Sequence, residues 1–354
     1  MASKNILFVT DTLNGYGAEK ILQWIGLSLS KRGYGVTFCE IFINDKGISL
    51  PSNVNYYNVG LERSSGNIKY LVEAHKGIKG IIKKNGCDYA VSFLKNSFYN
   101  LLLLKVKYHF NLVISERNDP YSLNSFFERI KKYCVRYADI IVFQTEGAKS
   151  FYDIKTQRKS LVIENPIEIP NVEWKRDRSL KQIVNVGRLH VSKRQDLLIR
   201  AFARLLKVYP NYQLVILGDG PYKEKLNILT KELGVEKKVV FLGKVDDVND
   251  WMLQSSMFVL SSSSEGIPNV LLEAMALGMP VVSTDCSPGG ARLLIKNGVN
   301  GLLVENGNRN ELTTAMEYMI ENEARANEMA KQARLDMEKY KPEIIIDKWA
   351  QIFK

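Results

Sequence analysis

The chain has 354 residues and a formal net charge of +11, and its 45% hydrophobic content is that of a globular protein. This length predicts two domains, because one hydrophobic core rarely organises more than about 300 residues. The four cysteines are widely spaced, which argues against a disulfide framework or a zinc site. The sequence shows neither a signal-peptide cleavage site nor an apolar run of about 20 residues. We therefore expect a cytoplasmic protein that is neither secreted nor membrane-spanning.

Basic residues are concentrated in the first half of the chain. Residues 1–165 contain 23 Lys and Arg and 14 Asp and Glu, which gives a net charge of +9. Residues 166–354 contain the other 26 Lys and Arg and 24 Asp and Glu, a net charge of only +2. This asymmetry predicts an anionic partner for the first half, which could be a membrane surface, a nucleic acid or a phosphorylated substrate.

Predicted strands and helices alternate along the first half, as they do in a parallel α/β sheet. The predicted strands are 5–10, 36–42, 88–93, 111–115, 139–144 and 160–166. The predicted helices are 18–30, 67–84, 97–107, 123–137 and 145–152, and residues 44–66 are expected to be irregular. The helices at 67–84 and 123–137 mix Lys and Arg with apolar side chains, which suits contact with an anionic membrane surface; the alternative is a merely solvated basic face.

The alternation restarts after residues 166–180, a stretch with prolines and a charge run that we interpret as a linker. The helix at 192–208 is expected to start at an N-cap, Ser192, and the helix at 270–277 to be apolar almost all round. The sequence therefore predicts two doubly wound α/β domains, 1–165 and 181–340, and a final helix at 341–354. In such sheets ligands bind at the carboxyl ends of the strands.

The loop between the first strand and the first helix contains Gly15, Tyr16 and Gly17. Glycines here allow backbone N–H groups to approach a phosphate at a helix N-terminus, although a plain tight turn explains them equally well. Neither GxGxxG nor GxxxxGK[ST] occurs, which disfavours a dehydrogenase or a P-loop enzyme.

Two cations follow the predicted strand at 182–187. Arg188 ends that strand and Lys193 comes five residues later, so both are expected beside the same strand-end crevice. Guanidinium and ammonium groups at this place could neutralise a diphosphate leaving group, and the alternative is a pair of ordinary surface cations in ion pairs. His190, in the same loop, is expected to be solvated, and the GDGP turn at 218–221 is expected to be mainly structural.

Two carboxylates flank the start of the apolar helix at 270–277. Glu265 lies in the loop before it, and Glu273 lies within it. Backbone donors at the helix start favour an anion, and the carboxylates could accept hydrogen bonds from hydroxyl groups, which together suit a sugar nucleotide. Alternatively, Glu273 pairs with a core cation and Glu265 is solvated. No Asp-x-Asp pair occurs, so we expect no acidic clamp for a metal and no obligate cofactor.

These motifs together resemble a known family. EGIPNVLLEAMALGMPVVST is similar to the Glu-x7-Glu motif of the family 4 retaining glycosyltransferases, and GRLHVSKRQDLLIRAF, ILGDGP and FLGKV match that family in order and spacing. LNGYGAE resembles the LNxGGAE segment of its bacterial polysaccharide members. The resemblance covers essentially the whole chain, and it implies the GT-B fold: two Rossmann-like domains facing an interdomain cleft, with the last helix, around Trp349, returning to the N-terminal domain.

The resemblance also implies roles for individual residues. Arg188 and Lys193 would bind the donor diphosphate, with Glu265 beside the sugar hydroxyls as the third catalytic residue. Glu273 would bind the ribose hydroxyls. Further donor contacts would come from Gly17, Gly187, Lys244, Val245, Gly266, Ile267, Pro268, Asn269, Val270 and Leu271.

The chain departs from the family pattern at two places. Tyr16 takes the place of the first of two glycines, and Arg117 stands beside Glu116 where a histidine often lies. Because an arginine cannot act as a base, we expect Arg117 to hold an acceptor phosphate or the donor sugar, with Glu116 or Asp119 as candidate proton acceptors. Tyr16, Glu116 and Arg117 are thus candidate acceptor or sugar contacts.

The resemblance implies transfer of a hexose or N-acetylhexosamine from a nucleotide sugar, with UDP favoured over GDP. The implied acceptor is a polyprenyl-diphosphate-linked glycan at the inner face of the cytoplasmic membrane, where the basic first half would meet anionic lipid. Two alternatives remain at this stage, a GT-B sugar-nucleotide epimerase and a basic nucleic-acid-binding protein. The poor histidine supply disfavours the first, and the absence of a recognition motif disfavours the second.

Overall fold

The structure, a computed structural model, describes residues 4–13, 17–44, 48–62, 67–93, 97–122, 130, 132–175, 177 and 179–354. The chain divides into two compact units. The N-terminal unit comprises Met1–Asn165 and Glu343–Lys354, and the C-terminal unit comprises Pro166–Pro342. The closing residues of the chain therefore pack with the first unit.

The N-terminal unit is built on a seven-stranded parallel sheet with the order β3-β2-β1-β4-β5-β6-β7. Its strands are β1 Asn5–Thr10, β2 Gly35–Phe42, β3 Val54–Leu61, β4 Tyr89–Ser92, β5 Asn111–Ser115, β6 Ile140–Phe143 and β7 Ser160–Val162. Its helices are α1 Ala18–Lys31, α2 Asn67–Asn85, α3 Ser97–Tyr108, α4 Glu146–Ser150, α5 Ile154–Arg158 and, after the second unit, α13 Pro342–Ala350.

The expectation that residues 44–66 are irregular is wrong, because this stretch contains β3. The strand forms one edge of the sheet, and several of its side chains are solvent-exposed, so it lacks the apolar run by which buried parallel strands are recognised. The predicted helix at 145–152 is the shorter helix α4, and a second short helix, α5, follows it where none was predicted. The predicted helix at 123–137 lies largely outside the described residues.

The C-terminal unit contains a six-stranded parallel sheet with the order β10-β9-β8-β11-β12-β13. Its strands are β8 Gln182–Val186, β9 Gln213–Leu217, β10 Val239–Gly243, β11 Met257–Leu260, β12 Val281–Thr284 and β13 Leu302–Val304. Its helices are α6 Gln195–Leu205, α7 Lys223–Glu232, α8 Val248–Leu253, α9 Asn269–Ala276, α10 Gly290–Leu294, α11 Arg309–Glu321 and α12 Glu323–Asp336.

The predicted helix at 192–208 is broken near its start. Residues Val191–Lys193 form a separate 3-10 turn, and Arg194 takes a left-handed conformation, φ +49°, before α6 begins. The side chain that caps the turn is that of His190, not the predicted Ser192. Lys193 therefore lies on a short turn and not in the first turn of a long helix.

Both sheets reverse their strand order at one point, which positions the sites. In the C-terminal unit the chain winds outward in one direction from β8 to β10 and then returns to the other side at β11, as in a dinucleotide-binding fold. The corresponding point in the N-terminal unit lies between β1 and β4. Ligands of doubly wound sheets bind at the carboxyl ends of the strands at such a reversal.

Among the helices of the described ranges, none has the length and the apolar character needed to cross a bilayer.

Candidate active site

Three of the predicted donor residues lie around the strand reversal of the C-terminal unit. Arg188 and Lys193 follow β8, and Glu265 follows β11, the strand that pairs with β8. Parallel strands end at the same edge of the sheet, so loops that are far apart in sequence become neighbours here.

Lys193 and Glu265 form an ion pair. The Nζ atom of Lys193 contacts Oε1 of Glu265, and the Ser262 hydroxyl donates to the same oxygen at 2.8 Å. The side chains of Lys193 and Glu265 are 26% and 14% exposed, so both groups remain reachable from solvent. The predicted alternative of a solvated Glu265 is therefore wrong, and the structure brings together a cation and an acid that were assigned to the diphosphate and the sugar.

Backbone contacts hold the Lys193 turn against the loop after β11. The Ser261 hydroxyl donates to the carbonyl of Lys193 at 2.9 Å, and the Ser263 N–H donates to the carbonyl of Ser192 at 2.8 Å. His190, expected to be solvated, is partly buried, and its Nδ1 accepts the N–H of Ser192 at 3.3 Å. The turn is thus fixed from both sides, while the Lys193 ammonium group extends from it.

Arg188 combines an exposed side chain with a tightly held backbone. The N–H of Gly187 donates to Leu217 at 2.9 Å, and the Gln195 side chain donates to the carbonyl of Arg188 at 3.2 Å. Gly218, in the GDGP turn, lies so close that a Cβ there would be 2.1 Å from the carbonyl oxygen of Gly187. This packing agrees with the structural role expected for that turn and leaves the guanidinium group free to meet a ligand.

The helix that carries Glu273 begins without a capping side chain. Pro268 is the N-cap residue of α9 and makes no side-chain cap, so backbone N–H groups at the helix start suit an anion. Leu271, Leu272 and three further residues of α9 are buried, whereas Glu273 is only partly buried. The expectation of a helix buried on all faces is therefore wrong on the side that carries Glu273.

A glycine in α10 supports the loop between Glu265 and α9. A Cβ at Gly290 would lie 1.6 Å from the carbonyl oxygen of Gly266, so only glycine allows this approach. Gly290 was missed among the predicted site residues, and the available signal was the Pro-Gly-Gly sequence at 288–290, whose last glycine begins α10.

The remaining predicted donor residues lie on the same sheet edge or beside it. Lys244 is exposed directly after β10, and Val245 follows it, two strands away from β8. Ile267 and Pro268 are buried, whereas Gly266, Asn269 and Val270 are partly exposed.

The predicted glycine loop of the N-terminal unit is described only at Gly17. This residue precedes α1 with φ +71°, a conformation that favours glycine. Gly15 and Tyr16 lie outside the described residues.

Glu116 and Arg117 follow β5 and are both buried. The Tyr152 hydroxyl donates to Glu116 at 3.2 Å, and the N–H of Asn118 donates to it at 3.3 Å. Burial and the neighbouring Glu116 together raise the pKa of Tyr152, so its hydroxyl stays a donor. Glu116 is therefore a carboxylate fixed inside the unit and not an open surface acid.

The buried guanidinium group of Arg117 lies against two aromatic rings that also pack on each other. Its Cζ lies 4.5 Å from the ring centre of Phe93 and 5.6 Å from that of Trp349, and its Nη1 donates to Asn165 at 2.7 Å. Two further donors, Nε and Nη2, have no hydrogen-bond partner in the described part of the chain. Burial lowers the pKa of Arg117 to about 9. Sequence reasoning found Arg117 but could not foresee its enclosure by Trp349.

Within the described ranges, no three His, Cys, Asp or Glu side chains are grouped as a metal site would require.

Two parallel doubly wound sheets, with a cation–carboxylate pair at one strand reversal, are typical of α/β enzymes that bind nucleotides at the carboxyl ends of their strands. The sequence model of the family "Glycosyl transferases group 1" matches residues 169–336. An N-acetylgalactosaminyltransferase of Campylobacter jejuni that acts on a diphospho-undecaprenol-linked acceptor is 33% identical over 333 residues, which covers 88% of this chain and 89% of the relative. The chain belongs to the group 1 glycosyltransferases, which confirms the predicted enzyme class.

Other relatives extend this similarity to the whole chain. An uncharacterized glycosyltransferase of Haemophilus influenzae is 28% identical over 98% of both chains. Sucrose-phosphate synthase from Thermosynechococcus elongatus matches with a TM-score of 0.87 over 99% of this chain and 98% of that one, at 17% identity. HepE from Anabaena, solved with UDP and glucose, matches with a TM-score of 0.81 over 98% of both chains, at 20% identity. The predicted GT-B fold class is confirmed, and the epimerase and nucleic-acid-binding alternatives lose support.

Proposed function

We propose that the protein is a retaining glycosyltransferase that moves a hexose or N-acetylhexosamine from a UDP-sugar to a glycan carried on polyprenyl diphosphate. The observation that carries this proposal is the meeting of Arg188, Lys193 and Glu265 at the strand reversal of the C-terminal unit. The C. jejuni relative, whose acceptor is linked to diphospho-undecaprenol, supports the choice of acceptor. The product would then be a bacterial surface polysaccharide or a related glycan.

The donor site accounts for the main catalytic requirement. As the bond between the sugar and the diphosphate breaks, negative charge grows on the leaving diphosphate, and fixed cations stabilise it. In this proposal the diphosphate takes Lys193 from Glu265, and the freed carboxylate accepts a hydrogen bond from a sugar hydroxyl. Arg188 binds the same diphosphate, and Glu273 accepts hydrogen bonds from the ribose. Because two cations serve the diphosphate, we expect activity to persist in EDTA.

A thermal-shift screen of UDP-, GDP- and ADP-sugars tests the donor. A ligand at 100 times its Kd stabilises the folded state by about 2.7 kcal/mol, so the true donor should raise Tm clearly above the others. Glu273→Gln should reduce the shift caused by a nucleoside diphosphate and by its sugar conjugate alike, because it acts on the ribose. Glu265→Gln should reduce only the additional shift given by the sugar. Equal shifts with all three nucleotides would contradict the proposal of a UDP donor.

The acceptor is assigned to the N-terminal unit, and Arg117 is its candidate anion contact. Buried guanidinium donors without acceptors suit a phosphate or diphosphate group, which forms strong charge-assisted hydrogen bonds with arginine. Glu116 is the candidate proton acceptor beside it. Arg117→Gln should raise KM for a lipid-linked acceptor while leaving KM for the donor unchanged, and an unchanged acceptor KM would remove this assignment.

A surface of the N-terminal unit supports the proposed membrane contact. Helix α3 exposes Leu103 (65%) and Val106 (79%), and Tyr133 and Tyr137 are each 61% exposed. Lys105 donates from α3 to the carbonyl of Tyr137 at 3.2 Å, which brings the two groups together. We call these four residues the α3 surface. Apolar and tyrosine side chains on a basic unit fit the interface of an anionic bilayer at the inner face of the cytoplasmic membrane.

Flotation with vesicles tests this contact. The protein should float with phosphatidylglycerol-containing vesicles at low salt, bind less in high salt, and not float with pure phosphatidylcholine. Leu103→Gln with Val106→Gln should reduce flotation. Leu335→Gln, which removes a side chain of equal 65% exposure from the C-terminal unit, is the matched control. Flotation that is the same for the double variant and the control would exclude the α3 surface.

A further inference from the structure

A second basic site lies on the C-terminal unit, outside the residues assigned to the donor. A groove of about 360 Å³ is lined by the first two turns of α6, the first turn of α11 and the residues that precede each helix. Three arginines, Arg194, Arg200 and Arg309, face it, and Asp196 is the single carboxylate among its lining residues. The groove therefore carries an excess of positive charge.

The arginines of the groove differ in what they contact. Arg194 donates to both carboxylate oxygens of Asp196, at 3.1 and 3.3 Å, so this pair is internally neutral. Arg200 and Arg309 are exposed, and within the described part of the chain neither side chain has a hydrogen-bond or ion-pair partner. Two guanidinium groups are thus available to a ligand.

The walls of the groove are well fixed. Helices α6 and α11 pack against each other, and Arg204 donates to Asn310 at 2.7 Å across them. Asn308 caps α11 by accepting the N–H groups of Asn310 and Glu311, each at 3.1 Å. Because the side chain of Asn308 already uses these donors, a ligand in the groove is recognised by guanidinium groups and not by the helix end.

The left-handed backbone conformation of Arg194 destabilises the fold. A residue other than glycine at φ +49° costs about 1 kcal/mol or more, and glycine would remove that cost. The chain instead places at this position an arginine that lies in the groove and directly follows Lys193 of the donor site.

We propose that this groove is a binding site for a small phosphorylated metabolite, separate from the donor site. A phosphomonoester dianion matches two unpaired guanidinium groups, which bind phosphate oxygens in a planar, two-pronged geometry. The volume exceeds what a phosphate ion alone needs and falls in the range of small-molecule sites, so part of the metabolite beyond the phosphate also fits.

Calorimetric titration at constant ionic strength tests the site, with inorganic phosphate and glucose 6-phosphate as separate probes. Wild-type protein should bind both, and tighter binding of glucose 6-phosphate would identify an organic ligand rather than the free ion. Arg200→Gln with Arg309→Gln should weaken binding at least tenfold. Lys207→Gln, which neutralises an exposed cation that does not line the groove, should change it less than twofold.

Two further variants separate the groove from the donor site. Arg188→Gln should lose affinity for UDP and keep affinity for glucose 6-phosphate, whereas the groove double variant should show the reverse. Arg194→Gly should fold with an equal or higher Tm and bind glucose 6-phosphate more weakly, because it leaves Asp196 unpaired in the groove. Three results would each show that the proposed site is absent, whatever the outcome with UDP. Neither probe binds the wild type, the groove double variant binds both probes as the wild type does, or Arg188→Gln abolishes binding of the two probes.

Discussion

The two units of this protein differ in how far they bury the charged residues of their candidate sites. In the C-terminal unit, Arg188, Lys193 and Glu265 extend from rigid strand-end loops and remain at least partly open to solvent. In the N-terminal unit, Glu116 and Arg117 also follow a strand end, yet both are buried. The same sheet architecture thus presents one set of charges to a ligand and encloses the other.

The difference shows what fixes a charged residue in a site. The open charges of the C-terminal unit keep much of their hydration, and close glycine contacts hold the backbone that carries them. The enclosed Arg117 is held by its side chain, through two aromatic rings and Asn165, and burial destabilises its charged form. A ligand should therefore bind to charged groups already exposed on the C-terminal unit, whereas in the N-terminal unit it must reach a buried cation.

The largest effect should come from removing the open cations. We expect Lys193→Ala and Arg188→Ala each to lower kcat by about 10²–10³, because each removes a fixed positive group from the leaving diphosphate. Tm should stay close to the wild-type value, since neither side chain is buried. Steady-state kinetics with the identified donor gives the result, and near-normal turnover by either variant would contradict the assignment of the diphosphate site.

A buried carboxylate with several hydrogen-bond donors should contribute to the stability of the fold and not to catalysis. Glu40 lies buried near the end of β2. It accepts hydrogen bonds from the Leu13 N–H at 2.8 Å and the Tyr56 hydroxyl at 2.5 Å, and others from Asn44 and Asn58. Burial and its bond to Glu40 raise the pKa of Tyr56 to about 12. Glu40→Ala should destabilise the protein by about 3 kcal/mol, because several donors lose their acceptor together.

Denaturant unfolding monitored by circular dichroism measures this change. Glu73→Ala, which removes a half-exposed carboxylate that pairs with Lys76 on the surface, should cost less than about 1 kcal/mol and serves as the control. An equal loss of unfolding free energy in the two variants would show that the buried Glu40 contributes no more to stability than a surface carboxylate.

Glycine packing should produce a smaller but selective effect in the donor site. Gly290→Ala should destabilise the protein by about 1–3 kcal/mol and weaken donor binding, because the methyl group must displace the backbone at Gly266. Gly80→Ala in α2 is the control, since a Cβ there would meet nothing within 4 Å outside the backbone of its own helix. Thermal unfolding with and without donor separates the two, and equal loss in both variants would show that the contact at Gly266 is unimportant.

Positions of candidate site residues could be predicted from the sequence where they depend on neighbouring residues. The interval between Arg188 and Lys193 and the placement of Glu265 before an apolar helix depend on residues close in sequence, so their common strand-end position was foreseeable. The Lys193–Glu265 contact joins residues 72 positions apart and required the pairing of β8 with β11. The spacing alone could not tell that an αL residue at Arg194 would break the helix.

Other features depended on tertiary context that no window of sequence contains. Strand β3 was missed because an edge strand with exposed side chains lacks an apolar run. The enclosure of Arg117 requires Phe93, Asn165 and Trp349, which come from three separate parts of the chain. Arg117 could thus be identified as unusual, but its burial could not be predicted.

The smallest expected change in stability gives the sharpest test of the contrast between the units. Arg117→Met keeps an unbranched side chain against Phe93 and Trp349, removes a buried charge with two unpaired donors, and leaves Asn165 its bond from Gln144 at 2.8 Å. We expect the free energy of unfolding to change by less than about 1 kcal/mol, because the desolvation cost of the cation offsets its contacts with the rings.

Transfer to a lipid-linked acceptor should fall at least tenfold in the same variant, while the donor-induced rise in Tm stays unchanged. That combination would mean that the chain retains an enclosed charge for its ligand and not for its fold, since function and stability then respond in different ways to one substitution. A loss of more than about 3 kcal/mol with normal kinetics in the surviving folded protein would make Arg117 a structural link between β5 and α13. The enclosed charges would then belong to the core, and only the C-terminal unit would present charges to a substrate.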